Sequence, residues 1–263
     1  MVDSLRAAIH SPLQRIGSKL SPFLGPFISD TKSRPGLEKA LSGLQEPFVS
    51  RLISLYSSEP QRGSDGELHS IDTITRIPPE QGMLLHQLCR SIQPRATLEI
   101  GMAYGFSSLF ILAALAQNQK GRHTAIDPVQ RSYWHGIGLT LAIESSPLLA
   151  DSNGFRLIED RSDRAATDLV REGESFDLIF IDGNHRYDDV LVDFYLYAQL
   201  VSNGGFIVLD DMWMRSVRTA ADFIRTNRHD FKEVPSPARK ACLFQKVGDD
   251  SRQWNHFRRF RVF

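Results

Sequence analysis

At 263 residues and 41% hydrophobic content, the chain is long enough for one large α/β domain plus an appendage, and apolar enough for a sizeable core. Its 31 basic residues balance 31 acidic ones, so no global field steers it to nucleic acid or to an anionic membrane. Two cysteines, Cys89 and Cys242, exclude a disulfide framework, and the longest apolar run, Leu109–Ala116, is too short to span a bilayer.

The first residues, Met1-Val-Asp-Ser, have no apolar stretch behind them, so no secretory signal is read and a cytoplasmic location is expected. Residues 1–75 lack the strand–helix alternation of the rest and are expected to form a helical appendage. Pro12, Pro22, Pro26 and Pro35 break its beginning into short pieces. Leu37, Leu41, Leu44, Phe48, Leu52 and Leu55 then recur at helical spacing, which predicts one amphipathic helix over Gly36–Ser57. Its role is open between a substrate lid, an oligomer contact and simple packing. Gln61-Arg-Gly-Ser-Asp-Gly-Glu reads as a polar, turn-rich linker. Pro78-Pro-Glu opens a helix through Ile92, with prolines where the first helical turn tolerates them.

Residues 97–108, Thr-Leu-Glu-Ile-Gly-Met-Ala-Tyr-Gly-Phe-Ser-Ser, run from an apolar strand through a glycine turn into an apolar helix, Phe106–Ala116. Glycines at such a crossing let a ligand approach the backbone, because no Cβ stands in the way. A dinucleotide fingerprint needs G-x-G-x-x-G for its pyrophosphate. Here the spacing is E-x-G-x-x-x-G, which suits a nucleoside ligand without a pyrophosphate, such as S-adenosylmethionine. The next strand, Arg122-His-Thr-Ala-Ile-Asp127, ends in an acid where α/β nucleotide folds place the carboxylate that binds ribose hydroxyls. The plainer alternatives are a structural strand–turn–helix junction and a strand-end Asp that caps a turn.

From Ala96 onward, strands are predicted near 96–101, 122–127, 155–159, 177–182, 205–210, 230–235 and 241–247, with helices between most of them. Such alternation implies a Rossmann-like, mainly parallel sheet with helices on both faces, here over residues 76–248. Gly101, Asp127, Asp182 and Asp210 all fall at strand carboxyl ends, where ligands bind in these sheets. Residues 249–263 form a basic, aromatic tail; packing on a subunit or mobility is expected of it rather than nucleic-acid binding.

Glu99-Ile-Gly101-Met-Ala-Tyr-Gly105-Phe-Ser107, Ile126-Asp127, Phe176-Asp-Leu-Ile-Phe-Ile-Asp182-Gly-Asn-His185 and Gly204-Gly-Phe-Ile-Val-Leu-Asp210-Asp211 resemble successive motifs of class I S-adenosylmethionine-dependent methyltransferases. The resemblance covers roughly residues 75–247. Their order and spacing are similar to the catechol and caffeoyl-CoA O-methyltransferases, while Asp-Gly-Asn-His looks more like macrocin-type enzymes. The resemblance implies a seven-stranded sheet with its last strand antiparallel. It also implies a cofactor site built from Glu99, Gly101, Tyr104, Gly105, Ser107, Asp127, Arg161, Ser162 and Asp182. Trp134 either stacks on adenine or packs in a helix, and Trp213 either walls the acceptor pocket or packs elsewhere.

Methyl transfer from a sulfonium needs a positioned acceptor and a destination for its proton. In the relatives, the acids matching Asp182, Asp210 and Asp211 hold a metal, although the position of Asp211 carries Asn in the catechol and caffeoyl-CoA enzymes. Gathered at adjacent strand ends, three carboxylates repel unless a cation or protons neutralise them, and oxygen ligands favour Mg²⁺, with Mn²⁺ or Ca²⁺ as substitutes. Capping or substrate hydrogen bonding without metal is the alternative. His185 stands where a lysine base sits in the catechol enzymes and is expected to be neutral at cytosolic pH and to act as the general base with Asp182; a structural histidine or a ligand are the alternatives. The expected function is metal-assisted transfer of a methyl group to a hydroxyl of a small molecule: a sugar, a phenol or a polyketide. The competing readings are a nucleoside-cofactor oxidoreductase, a non-catalytic cofactor-binding protein and an RNA methyltransferase.

Overall fold

Leu178 and Phe180 point to one face of the sheet and Ile179 and Ile181 to the other, and all four are buried. Both faces of this strand are therefore covered, as the alternation of strands and helices requires. The computed structural model describes residues 33–151 and 154–260. In chain order it contains α1 (Arg34–Ala40), α2 (Phe48–Tyr56), a hairpin of β1 (Gln61–Arg62) and β2 (Leu68–His69), α3 (Pro79–Ile92), β3 (Ala96–Ile100), α4 (Phe106–Asn118), β4 (Arg122–Ile126) and α5 (Ile137–Ser145). There follow β5 (Phe155–Ile158), α6 (Ser162–Arg171), β6 (Phe176–Ile181), α7 (Tyr187–Tyr197), β7 (Val201–Leu209), α8 (Arg215–Asn227), β8 (Phe231–Val234) and β9 (Cys242–Lys246).

The seven strands of the main sheet lie in the order β5-β4-β3-β6-β7-β9-β8. β3 through β7 pair in parallel, and β9 runs antiparallel to both β7 and β8. One face packs Leu178, Phe180, Phe206 and Val208 against α3 and α4; the other packs Ile179, Ile181 and Ile207 against α6, α7 and α8. The helix α4 is apolar all round and buried over most of its length, which is why its sequence shows no amphipathic stripe.

Two expectations for the N-terminal region need correction. The helix predicted over 36–57 is two helices, because Pro47 cannot donate to the preceding turn and its ring opposes helix continuation. Leu41 and Leu44 are buried nonetheless, so the apolar spacing reported the buried face but not the break. The supposed linker 61–67 is largely a hairpin, with Gln61 opposite His69 and Arg62 opposite Leu68. Leu37, Phe48 and Leu52 share one core cluster with Leu84, Leu88 and Phe110, so this segment packs on the outside of α3 and α4. Pro12, Pro22 and Pro26 lie outside the described residues.

β7 starts at Val201, ahead of the strand start predicted at 205, and runs through the pair Gly204-Gly205. A register irregularity opposite Phe176 and Leu178 absorbs the extra residues, as a bulge does. The tail packs on its own chain: Asn227 and the Arg258 backbone exchange hydrogen bonds of 3.0 and 2.7 Å, and Phe260 meets Phe223 edge-on.

Candidate active site

β3, β4, β6 and β7 end one residue before Gly101, Asp127, Asp182 and Asp210 respectively, and the four strands are neighbours in the sheet. Parallel pairing therefore places these residues along one edge. Gly101 has φ +88°, and a Cβ there would stand 2.1 Å from the carbonyl oxygen of Asp182. Only glycine lets the two strand ends approach so closely. Gly105, with φ +85°, is the N-cap residue of α4. A cavity of about 920 Å³ opens over this edge, within the roughly 300–1,000 Å³ of small-molecule sites.

The cavity wall includes Gly101, Ser107, Asp127, Arg161, Ser162 and Asp182 from the expected cofactor set. Trp134 and Trp213 line it as well. Glu99, Tyr104 and Gly105 do not, and act from behind it. The Glu99 carboxylate is fully buried, accepts from the hydroxyls of Ser107 (2.6 Å) and Ser108, and lies 3.1 Å from Nε2 of His123. It ties the first turn of α4 to β3. The Tyr104 hydroxyl donates to Asp72 at 3.4 Å, and its ring meets Trp134 edge-on. Asp127 accepts the backbone amides of Met102 and Ala103 at 3.2 and 2.9 Å through one oxygen, and that of Val129 at 3.0 Å through the other. Burial raises its pKa and these amides oppose the rise. It organises the glycine loop, with capacity left toward the cavity.

Sequence reasoning missed the wall formed by Ile74, Thr75 and Arg76 and, from the β8–β9 connection, Lys240. Both stretches lack a motif, and only the folded chain brings them to the strand ends.

At the far end, Nε2 of His185 stands 2.9 Å from Asp211 and 3.4 Å from Asp182. Trp213 donates its ring N–H to the other oxygen of Asp211 at 2.6 Å. Asp211 holds φ +53°, a left-handed conformation uncommon for a residue with a side chain, and one that clusters at functional sites. Donor atoms of Asp182, His185 and Asp211 lie within 4.8 Å of one another. The expected group was Asp182, Asp210 and Asp211; Asp210 lines the same cavity, but one of its oxygens accepts the Asp211 amide and His185 takes its place in the tight group.

Burial, then the charge of Asp210, pushes the Asp182 carboxyl well above the usual range, and burial raises Asp210 too. Burial also opposes ionisation of Asp211, but hydrogen bonds from His185 and Trp213 outweigh it and hold that carboxyl low. Asp182, then Asp211, raises His185 to about 10. Sequence alone predicts a neutral imidazole; the two carboxyl groups bonded to it favour its charged form instead.

Residues 98–212 match a family model described as a methyltransferase domain. The chain is 24% identical to a flavonoid 3',5'-methyltransferase of Vitis vinifera over 214 residues, 78% of this chain and 80% of that one. It is 30% identical over 177 residues to caffeoyl-CoA O-methyltransferase 1 of Eucalyptus globulus, covering 64% of this chain and 67% of that one. The chain belongs to the S-adenosylmethionine-dependent O-methyltransferases. The fold agrees: the O-methyltransferase TomG of Streptomyces achromogenes, solved in complex with S-adenosylmethionine, superposes with a TM-score of 0.59 at 20% identity, over 90% of this chain and 100% of that one. This methyltransferase is an enzyme that moves a methyl group from S-adenosylmethionine to a hydroxyl of a small molecule, which sets aside the oxidoreductase and the non-catalytic readings. Among the described residues, no helix is long and apolar enough to cross a membrane.

Proposed function

We propose that this methyltransferase acts on a phenolic hydroxyl, with a divalent cation at Asp182 and Asp211, Asp210 alongside, and His185 as the proton acceptor. The carrying observation is the crowding of three acids and one imidazole at a single end of the cavity, where burial, and for Asp182 also the charge of Asp210, pushes Asp182 and Asp210 up. Those donors fit a cation: carboxylate oxygens suit Mg²⁺, and an imidazole within reach also admits Mn²⁺. When bound, such an ion supplies the charge that acidifies the acceptor hydroxyl.

Gly101–Ala103, Asp127, Trp134, Arg161 and Ser162 line the cavity together and would hold the cofactor, with Asp127 as the carboxylate for its ribose hydroxyls. The acceptor ring lies against Trp213, whose side chain is 58% exposed at the cavity. The S–CH3 bond then breaks with its electron pair left on sulfur, and the O–CH3 bond forms in line. The hydroxyl proton passes to Nε2 of His185, which must first lose the proton that Asp182 and Asp211 hold on it. A phenol is favoured by the named substrates of two relatives, a flavonoid and caffeoyl-CoA.

The ion pair itself favours a second reading. The His185 imidazolium already neutralises Asp182 and Asp211, and the raised Asp182 carboxyl can take the proton in a site that works without metal. Turnover of a dihydroxylated phenol with excess chelator decides between them. The metal reading expects loss of turnover, restoration by Mg²⁺, and unchanged cofactor binding by calorimetry. Full turnover in chelator selects the second reading. Turnover of a sugar acceptor but no phenol overturns the acceptor class.

A further inference from the structure

A second group of metal-type ligands lies outside the cavity. Asp65 and His69 belong to the β1–β2 hairpin, and His135 to the connection between β4 and α5. Their donor atoms lie within 4.8 Å of one another. Nε2 of His69 is 2.9 and 3.0 Å from the two oxygens of Asp65. The rings of His69 and His135 lie parallel, 6° apart in plane and 4.0 Å between centroids.

The backbone around the three is fitted closely. A Cβ on Gly63 would stand 2.6 Å from the His135 carbonyl oxygen, 2.7 Å from Asp65 Oδ1 and 2.8 Å from the His69 ring. The Ser64 amide donates to the His135 carbonyl at 2.9 Å, joining hairpin and loop. His135 itself holds φ +54°, a left-handed conformation that a side chain adopts only where its surroundings require it.

We propose that Asp65, His69 and His135 form a binding site for a Zn²⁺-type cation that clasps the hairpin to the loop bearing Trp134. Two imidazoles and one carboxylate are the ligand set of borderline divalent ions, with water completing the shell; Mg²⁺ prefers an all-oxygen environment. A bound ion lies near the plane of each imidazole, so the two rings turn out of their stack to share it. His135 is exposed and free of packing that would stop its ring turning, and Asp65 is exposed and can follow. The clasp sits directly beside Trp134, which lines the cavity, so the ion fixes the loop at the cofactor's side.

The test uses full-length, tag-free protein carrying Asp182→Asn and Asp211→Asn, so that uptake at the catalytic end is removed. After chelation and dialysis, it is titrated with Co²⁺, followed by d–d absorption, and with Zn²⁺, followed by thermal unfolding. The expected result is one equivalent of Co²⁺ that excess Mg²⁺ does not displace, with a rise in Tm on Zn²⁺ addition. Adding His69→Ala or His135→Ala weakens uptake at least tenfold and removes the rise. If His135→Ala does not fold, His69→Gln, which keeps a polar side chain but loses a strong ligand, makes the same comparison. The proposal is overturned if the parent protein takes up no Co²⁺, or takes it up equally well with His69 replaced.

Discussion

His185 shows how neighbours decide what a residue can do. A free imidazole is mostly neutral at pH 7, but two carboxylates hold this one to about 10. Its pKa rises on folding, so its stabilising effect is fully present below about pH 6.5 and is lost as pH climbs through about 10. Without metal, the Tm of the wild type should fall across that window more than that of His185→Ala, as read by calorimetry at several pH values. Parallel curves for the two proteins would remove the ion pair from the stability account. In turnover, His185→Ala should lose about 10²- to 10⁴-fold in kcat with cofactor affinity kept, the contribution of a positioned base. Asp127 carries a different burden. Because it accepts three loop amides, Asp127→Ala should weaken S-adenosylmethionine binding by about 1–3 kcal/mol, the cost of unpaired polar groups. Calorimetric titration checks this, and an unchanged Kd would show that the loop keeps its shape unaided.

Among the elements, the glycine loop is the least tolerant of change. An alanine at position 101 puts a methyl group 2.1 Å from the Asp182 carbonyl and forces φ +88° on a residue with a Cβ. Backbone strain of this kind costs about 1–3 kcal/mol before the collision is relieved. Relief must separate the end of β3 from that of β6, the two strands beneath the cavity. Gly101→Ala should therefore lower the denaturation midpoint and abolish detectable cofactor binding; a variant that binds normally would mean that the loop can swing away at little cost. The hairpin of β1 and β2 is a contrasting case. It has two residues per strand, and its position depends on contacts such as Ser64 with His135.

Across the whole molecule, the N-terminal helices share a core with α3 and α4, and one buried group in that layer gives a pH signature. His86 is 4% exposed; Nε2 lies 3.1 Å from the Gln117 side-chain oxygen, and Nδ1 has no partner. Burial lowers its pKa from 6.5 to about 4. The folded state thus excludes a proton that the unfolded chain takes up. Its stability is present above about pH 6.5 and is lost as pH falls toward 4, by about 3 kcal/mol in full. Asp193, raised to about 6 by burial, works with the opposite sign, so the informative quantity is a difference between proteins. Between pH 6.5 and 4, His86→Gln should lose less stability than the wild type in denaturant titrations. Equal losses would mean that the layer opens to water before the ring is protonated.

The sequence by itself determined the sheet, its strand ends and the cofactor class. Each of these rests on local pattern: apolar runs of strand length, glycines at a turn, and acids one residue past a strand. It also placed Asp182, His185, Asp210 and Asp211 together, because parallel strands that share a sheet bring their carboxyl ends to one edge. The protonation of His185, the retreat of Glu99 behind the loop and the use of Asp127 as a loop anchor were decided by tertiary structure. Burial and charge at those positions come from residues far away in the chain. The same holds for the cavity wall at residues 74–76 and Lys240, and for the meeting of His69 with His135, which lie 66 positions apart in sequence. A residue's type and spacing report what it can do; only its neighbours in space set its charge and the direction in which it acts.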